Sequence, residues 1–483
     1  MKLRSIVKLL ALTACGGPQM PPTRPTAPTP TAASPELARE APPAPLPPKD
    51  VAFPPIVRAT LPTGLDLLVA EHHALPVVYV TLTLRAGGAA DPADRPGLAA
   101  FLADMLLEGT TTRSRAEIVD AIEHVGGEIG ASEDEDRITI RAMVLRDHLP
   151  LALALVADVA TSPSLPKDAI DKVRKQSLSD LQQNLTDPGY LARRAFLESL
   201  YGAGHPYAHV GPTKASLEAI AKTDLAKFHE RYFAPGNAFL IVAGDVVAAE
   251  VEAAATKAFG AWKRSGTAAL EPPPPPPAPK GRSIVLVHRP KSVQATFYLG
   301  APAVRRADPD WIPYVVGNQV LGGSASARLF LRLREEKSLT YGAYSRLEGR
   351  RGVGFAMAFA NCRNEVVGEA MKEFLAEMKR FRDEPVPEQE LGYAKGYLSG
   401  LFPTQVETPA NVAAMVGQLK LHGLPDDYWD TYRSRVLAVS EAQARSFARF
   451  LDPDQVLVTV VGDAEAIEAP LREFGPVRIA PAD

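Results

Sequence analysis

Apolar positions along this chain recur with two periods, and the two periods alternate in the same order twice. Residues 67–69 are a short apolar run, and residues 77–85 alternate apolar and polar side chains from Val80 onward, the period of two expected of strands. A β-branched run at 239–243 leads into Gly244-Asp245 and a final helix. Between these strands the period lengthens to that of amphipathic helices, at 95–107, 114–124 and 167–183. From residue 283 the series restarts, with strands at 283–288 and 295–299 and a run at 456–461 leading into Gly462-Asp463. The stretch from Tyr232 to Asp245 corresponds to Phe450 to Asp463 at an offset of 218, and Asp91-Pro92 to Asp308-Pro309 at 217. Equal offsets at both ends predict an internal duplication, which chance similarity of apolar strands does not reproduce. Strands and helices interleave unevenly, and no Gly-rich phosphate loop follows a first strand. The expected fold is therefore α+β: two homologous domains, each an antiparallel sheet packed with helices.

Proline marks the boundaries. Of 483 residues 45 are proline; 14 of them fall in 16–55, and six stand in a row at 272–277. Such stretches cannot bury enough apolar surface to fold and behave as extended spacers. The chain divides into a leader at 1–15, a tether at 16–52, a first domain at 53–265, a linker at 266–282 and a second domain at 283–483. The leader begins with Lys2, Arg4 and Lys8, continues through a short apolar run and ends in Leu12-Thr13-Ala14-Cys15. That ending resembles a bacterial lipobox, in which the cysteine is lipidated, and Gly16 after it resembles an outer-membrane address. The implied location is the bacterial cell envelope, lipid-anchored through Cys15, at the outer membrane facing the periplasm. The same residues also suit a cytosolic start that is incidentally apolar. The formal net charge of −3 gives no basic surplus for a nucleic-acid backbone. Cys15 and Cys362 are the only cysteines, so no disulfide framework forms, and no run of about 18 apolar residues spans a membrane.

Residues 97–110 read Gly-Leu-Ala-Ala-Phe-Leu-Ala-Asp-Met-Leu-Leu-Glu-Gly-Thr. Leu98, Phe101, Leu102, Met105 and Leu106 form one apolar face, and Ala100 and Asp104 share the face opposite. This segment resembles the zinc-binding helix of the M16 metallopeptidases, the insulinase, pitrilysin and mitochondrial processing peptidase family, which reads Gly-Leu-Ala-His-Phe-Leu-Glu-His. The resemblance puts Ala100 and Asp104 at the two histidine positions, Ala103 at the glutamate that activates water, and Asp180 at the later glutamate ligand. A peptidase zinc needs three protein ligands and a base beside an open water position. Alanine offers neither a lone pair nor a base, so this chain alone is not expected to be a zinc peptidase. Asp104 and Asp180 suit a weak hard-cation site or plain solvated carboxylates.

In the second half, residues 321–341 run from Leu-Gly-Gly-Ser through Arg328-Leu329-Phe330 and Leu333-Arg334-Glu335 to Leu339-Thr340-Tyr341. They read as a Gly-rich turn, a helix and a strand. They resemble the second M16 motif, with Ser338 where a glycine is usual. In active relatives this arginine and tyrosine hold the substrate backbone and the developing oxyanion, which suits a fixed planar cation and a directed phenol donor. On residue type alone, Arg334 equally suits a surface salt bridge and Tyr341 a half-buried strand position. His205-Pro206-Tyr207-Ala208-His209 resembles a structural His-Pro segment of the family, and Cys362 reads as a packed thiol.

Some family members divide the labour between two chains, one with the zinc motif and one with the arginine and tyrosine. The resemblance implies the second type: a subunit without zinc that supplies Arg334 and Tyr341 to the zinc site of an M16 partner acting on unfolded peptides. It also implies two halves facing each other around a chamber; separately, a strand near Val77–Leu84 suits edge pairing with extended peptide. The alternative is a catalytically inactive binding or scaffold lipoprotein; a single-chain enzyme with a new metal site is the third reading.

Overall fold

The computed structural model describes residues 51–263 and 270–481. Cys15, the leader and the tether as far as residue 50 lie outside the described residues. The first half supplies β1 (Ile56–Thr60), β2 (Asp66–Glu71), β3 (Val77–Leu84), β4 (Glu128–Glu133), β5 (Ile138–Leu145) and β6 (Ala238–Gly244). The second supplies β7 (Ser283–His288), β8 (Gln294–Pro302), β9 (Thr340–Glu348), β10 (Phe355–Arg363), β11 (Leu457–Gly462) and β12 (Val477–Ala480). They form two six-stranded sheets, ordered β1-β2-β6-β3-β5-β4 and β12-β7-β11-β8-β10-β9. Five strands of each sheet match in order: β2 with β7, β6 with β11, β3 with β8, β5 with β10 and β4 with β9. β3 starts at Val77 and β8 at Gln294, 217 residues on, so the duplication is visible in the fold. The sixth strand differs: β1 precedes its unit and runs antiparallel to β2, whereas β12 follows its unit and runs parallel to β7.

The sheets are mixed rather than wholly antiparallel, because β2–β6 and β7–β11 are parallel pairs. Side-chain alternation reports which face a residue takes, not strand direction, and the long helical excursion before β6 and β11 permits re-entry in parallel. Every residue of β6 is buried, as a strand covered on both faces must be. In β5 burial alternates, so one face meets the core and the other faces outward.

The two halves exchange helices. Pro188–Tyr201, from the first half, packs on β8 and β11 of the second sheet, and Pro409–His422, from the second half, packs on β3 and β6 of the first. The hairpin turns that correspond in the two halves, between β4 and β5 and between β9 and β10, also meet. There Asp136 accepts from the Tyr207 hydroxyl at 2.6 Å and from the Arg351 amide at 2.9 Å, and Arg350 pairs with Glu135 at 2.6 Å. These contacts join Asp50–Asp483 into one compact unit.

Candidate functional site

The degenerate zinc segment forms the helix Leu98–Leu106, shorter than the 95–107 read from the sequence. Its start is set by Gly97, whose φ of 88° and close approach to Pro212 leave no room for a Cβ. Asp91 then caps it, accepting from the Gly97 amide at 2.7 Å and the Ala99 amide at 2.8 Å. Leu98, Phe101, Leu102, Met105 and Leu106 are buried as the periodicity required. Asp104 is exposed and Ala100 half-buried, while Ala103, at the position of the base, is 3% exposed within the core.

The helix Lys167–Asn184 packs against this one. Arg174 fixes it there, stacking over Phe101 at 5.8 Å and donating to the carbonyls of Leu217 and Ile220 at 2.7 and 2.9 Å. That packing brings Asp180 near Asp104. Partial desolvation, then the negative charges of Asp180 and Glu108, raise the Asp104 carboxyl above the usual range. Asp180 accepts from Gln176 at 2.8 Å, and Glu108 is taken by Arg115 and by Lys172 at 2.9 Å. Zinc does not fit this donor set: two carboxylates that repel each other, an alanine in place of a ligand and a core alanine in place of the base. Among the described residues no group of three or more His, Cys, Asp or Glu side chains is arranged to hold a metal ion.

Two carboxyls that the sequence did not single out stand beside Ala100. Asp91, Glu133 and His209 line a cavity of about 250 Å³ together with Ala100. Burial raises Asp91 to about 7 despite its amide donors, and burial with the charge of Asp91 raises Glu133 to about 8. Asp91 was visible only as a marker of the duplication; a helix cap six residues upstream of Gly97 leaves no simple spacing signal.

The Arg-Tyr motif is built differently. Arg328–Phe330 is helical, Leu331–Glu336 widens into a π-helical turn, and β9 starts at Thr340. Ser338 closes the turn at φ 54°, its amide donating to Arg334 O at 3.0 Å while the Leu339 amide donates to Leu333 O at 2.8 Å. A left-handed residue at this point accounts for the glycine usual in the motif. The turn folds Tyr341 back on Arg334, whose guanidinium carbon lies 4.8 Å from the Tyr341 ring and 4.8 Å from that of Phe330. Tyr341 is 87% exposed, not half-buried, and sits on β9, a sheet edge. Arg334 does reach an acidic neighbour, Glu335, at 3.4 Å. Among the described residues no hydrogen bond, ion pair or ring contact joins Arg334 or Tyr341 to the helix Leu98–Leu106. The structure thus assembles Arg334 with Tyr341, and Asp104 with Asp180, as two separate groups, one in each half.

Residues 77–84 form β3, paired on one side with β6 and on the other with β5, so they offer no edge to a peptide; the free edge of that sheet beside the degenerate helix is β4. The sequence placed the strand but could not place its neighbours. His205 spends both ring nitrogens on structure, with the Tyr207 amide at 3.0 Å and Pro274 O at 2.8 Å. Cys362 is free and buried, its thiol pushed up to about 12 by burial.

Known proteins with this sequence and fold bear on both groups. Residues 67–205 match the family described as Insulinase (Peptidase family M16), and residues 219–398 the family described as Peptidase M16 inactive domain. An uncharacterized zinc protease of Streptomyces coelicolor is 27% identical over 84% of this chain and 89% of its own length. A non-peptidase homolog of Helicobacter pylori is 24% identical over 80% of this chain and 88% of its own. The crystal structure of a peptidase M16 inactive domain from Pseudomonas fluorescens superposes with a TM-score of 0.80 at 26% identity, covering 85% of this chain and 99% of that one. With both halves matched and the two-sheet fold shared, the chain belongs to peptidase family M16.

Proposed function

We propose that this chain is the non-zinc subunit of a two-chain M16 peptidase of the bacterial envelope, anchored through Cys15. It supplies Arg334 and Tyr341 to the zinc site of an M16 partner that cleaves unfolded peptides. The observation that carries this reading is the Arg334–Tyr341 pair: pre-stacked at 4.8 Å, with the tyrosine 87% exposed, in a chain whose own zinc positions hold no ligand set. Within a single chain such a pair has nothing to act on. In trans, Arg334 would hold a substrate carbonyl or carboxylate and the Tyr341 hydroxyl would donate to charge developing on the scissile carbonyl. Exposed apolar side chains support docking of a partner: Leu331 on the turn that carries Arg334, and Tyr393, which lines one pocket with Leu331, with Tyr397 and Leu401 following at helical spacing on Glu388–Gln405. The open edge of β4 is available to an extended peptide.

The second reading, a scaffold or peptide-holding lipoprotein without catalysis, is favoured by the likeness to the Helicobacter pylori protein, a non-peptidase homolog. Affinity purification of the tagged protein from detergent-solubilised envelopes, with mass spectrometry, separates the two. The subunit reading expects an M16 chain with intact zinc ligands near one-to-one, and peptide cleavage by the complex that falls about a hundredfold in Tyr341→Phe or Arg334→Met. A homodimer, or a complex whose cleavage ignores both substitutions, leaves the scaffold reading.

A further inference from the structure

A partly open cavity of about 650 Å³ lies at the seam between the halves. Its walls come from the two meeting hairpin turns, the start of the helix Trp311–Leu321 and the exchanged helix Pro409–His422. That volume is ample for a small organic molecule or the end of a peptide.

Arg306 is the key group. It is 7% exposed, and its guanidinium lies between the rings of Trp311 and Tyr428, 4.9 Å from each centroid. It donates to the Tyr428 hydroxyl at 3.1 Å and to Gln418 Oε1 at 3.4 Å. These are neutral acceptors; among the described residues no carboxylate oxygen lies within 4.0 Å of it. A buried guanidinium keeps its charge and calls for a counter-ion. Three of the acids that face the cavity are engaged elsewhere: Asp134 with Arg137 at 2.8 Å, Glu135 with Arg350 at 2.6 Å, and Asp136 with the Tyr207 hydroxyl and the Arg351 amide. Glu348, the fourth, lines the cavity outside ion-pair reach of Arg306.

Two further buried atoms at this seam lack partners. Arg350, 5% exposed, leaves Nη1 without an acceptor, and His422 leaves Nδ1 without one. Arg350 stands beside Arg306, the Arg306 amide donating to Arg350 O at 3.1 Å. Three arginines act on the His422 ring: burial first, then Arg306, Arg137 and Arg351, lower its imidazole to about 3, so it stays neutral.

We propose that this cavity binds an organic carboxylate, its anionic group held by Arg306 and Arg350 and its apolar body against Trp311, Tyr428 and Trp429. The open Nη1 of Arg350 and the Arg306 fork, whose present acceptors are neutral, match a carboxylate, and the flanking rings match an aromatic or aliphatic body. The shared chemistry has two sources, the C-terminus of a peptide or a free small acid. This site is independent of the Arg334–Tyr341 reading: β9 carries Tyr341 near one end and Glu348 at the other, roughly 23 Å apart at strand rise.

Trp311 and Trp429 line the cavity and are two of the three tryptophans of the chain, so their fluorescence reports occupancy. The test titrates the full chain with N-acetylphenylalanine, with N-acetylphenylalaninamide, with a tetrapeptide ending in a free phenylalanine and with inorganic phosphate. The expected result is saturable binding of the acid, weakened about tenfold or more for the amide and about tenfold or more in Arg306→Met. Tighter binding of the tetrapeptide assigns the site to peptide ends; tighter binding of the single acid assigns it to a free metabolite. Because Arg306→Met removes part of an aromatic stack, Arg350→Met serves as a second variant, expected to weaken the acid while the protein still melts cooperatively. Equal binding of acid and amide, binding of phosphate alone, or no change in fluorescence at millimolar acid overturns the proposal.

Discussion

The Glu135–Arg350 pair offers the sharpest test of how the halves are joined. Glu135 belongs to the first-half turn and Arg350 to the second-half turn, and Nη2 meets Oε1 at 2.6 Å. The Arg350 side chain is 6% exposed and that of Glu135 28%. Arg350 also stacks on Tyr207 at 4.5 Å, Phe355 at 5.4 Å and Tyr201 at 5.5 Å. Glu135→Gln removes the counter-charge and leaves a buried cation. Breaking a buried pair in this way costs about 3–5 kcal/mol, and the partial exposure of Glu135 places this case near 3. Arg350→Met removes the cation but keeps apolar contact with the rings. Glu135 then retains Arg193 at 3.4 Å, so the expected cost is about 1.5 kcal/mol.

The double variant is where the reasoning can fail. With no cation left to strand, Glu135→Gln adds little to Arg350→Met. The pair should therefore lose about 2 kcal/mol in total rather than the sum, a coupling of about 2 kcal/mol or more. Urea unfolding followed by tryptophan fluorescence measures all four proteins, and repetition in high salt tests burial, because a pair at a desolvated seam is weakly screened. Additive effects, or a Glu135→Gln cost under about 1 kcal/mol, would falsify the claim that this ion pair couples the two halves.

Two other predictions follow from local geometry. Ser338→Gly removes a left-handed strain of roughly 1 kcal/mol and returns about half of it as chain entropy. The expected gain of roughly 0.5 kcal/mol is read by chemical denaturation, and a loss contradicts it. Glu133→Gln tests the paired carboxyls beside Ala100. A carboxyl whose folded pKa stands above its unfolded value binds extra protons when folded, so stability is present at low pH and falls as pH rises, here between about 4.5 and 8. The variant should match the wild type near pH 5 and exceed it by roughly 2 kcal/mol at pH 8.5, discounted from the full shift because Asp91 titrates with it. Parallel pH profiles of the two melting temperatures would count against a buried, protonated Glu133.

Much of the fold was legible because burial writes a period into the sequence. The strands at 239–243 and 456–461, the helix at 167–183 and the duplication offsets all reappear in the structure. What stayed hidden was who sits beside whom. Nothing in Val77–Leu84 says that β6 and β5 flank it, and nothing in Pro409–His422 says that it covers the other half's sheet. The site divides along the same line. Arg334 and Tyr341 are seven residues apart and joined by one turn, so a local motif carries their pairing. Arg306 and His422 stand 116 positions apart in the second half and come near each other only through tertiary packing at the seam, so no spacing betrays them.

The helix Leu98–Leu106 then poses a question of its own, since it carries neither the histidines nor the glutamate of the motif it resembles. Its apolar face is part of the first-half core, and Asp91 and Arg174 hold its start and its flank. Packing is reason enough to keep it. The position of the lost base makes this testable, because Ala103 now lies 3% exposed among that core while Ala100 faces a cavity of about 250 Å³. A carboxylate at 103 must be buried without a partner or bind a proton, at a cost of roughly 3 kcal/mol. Ala103→Glu should therefore lower stability at pH 8 more than at pH 5, whereas Ala100→His, with room to project, should change it by less than about 1 kcal/mol. If thermal melts show Ala103→Glu tolerated at both pH values, the base position has not been absorbed into the core, and the helix has kept the shape of a catalytic surface rather than only its packing.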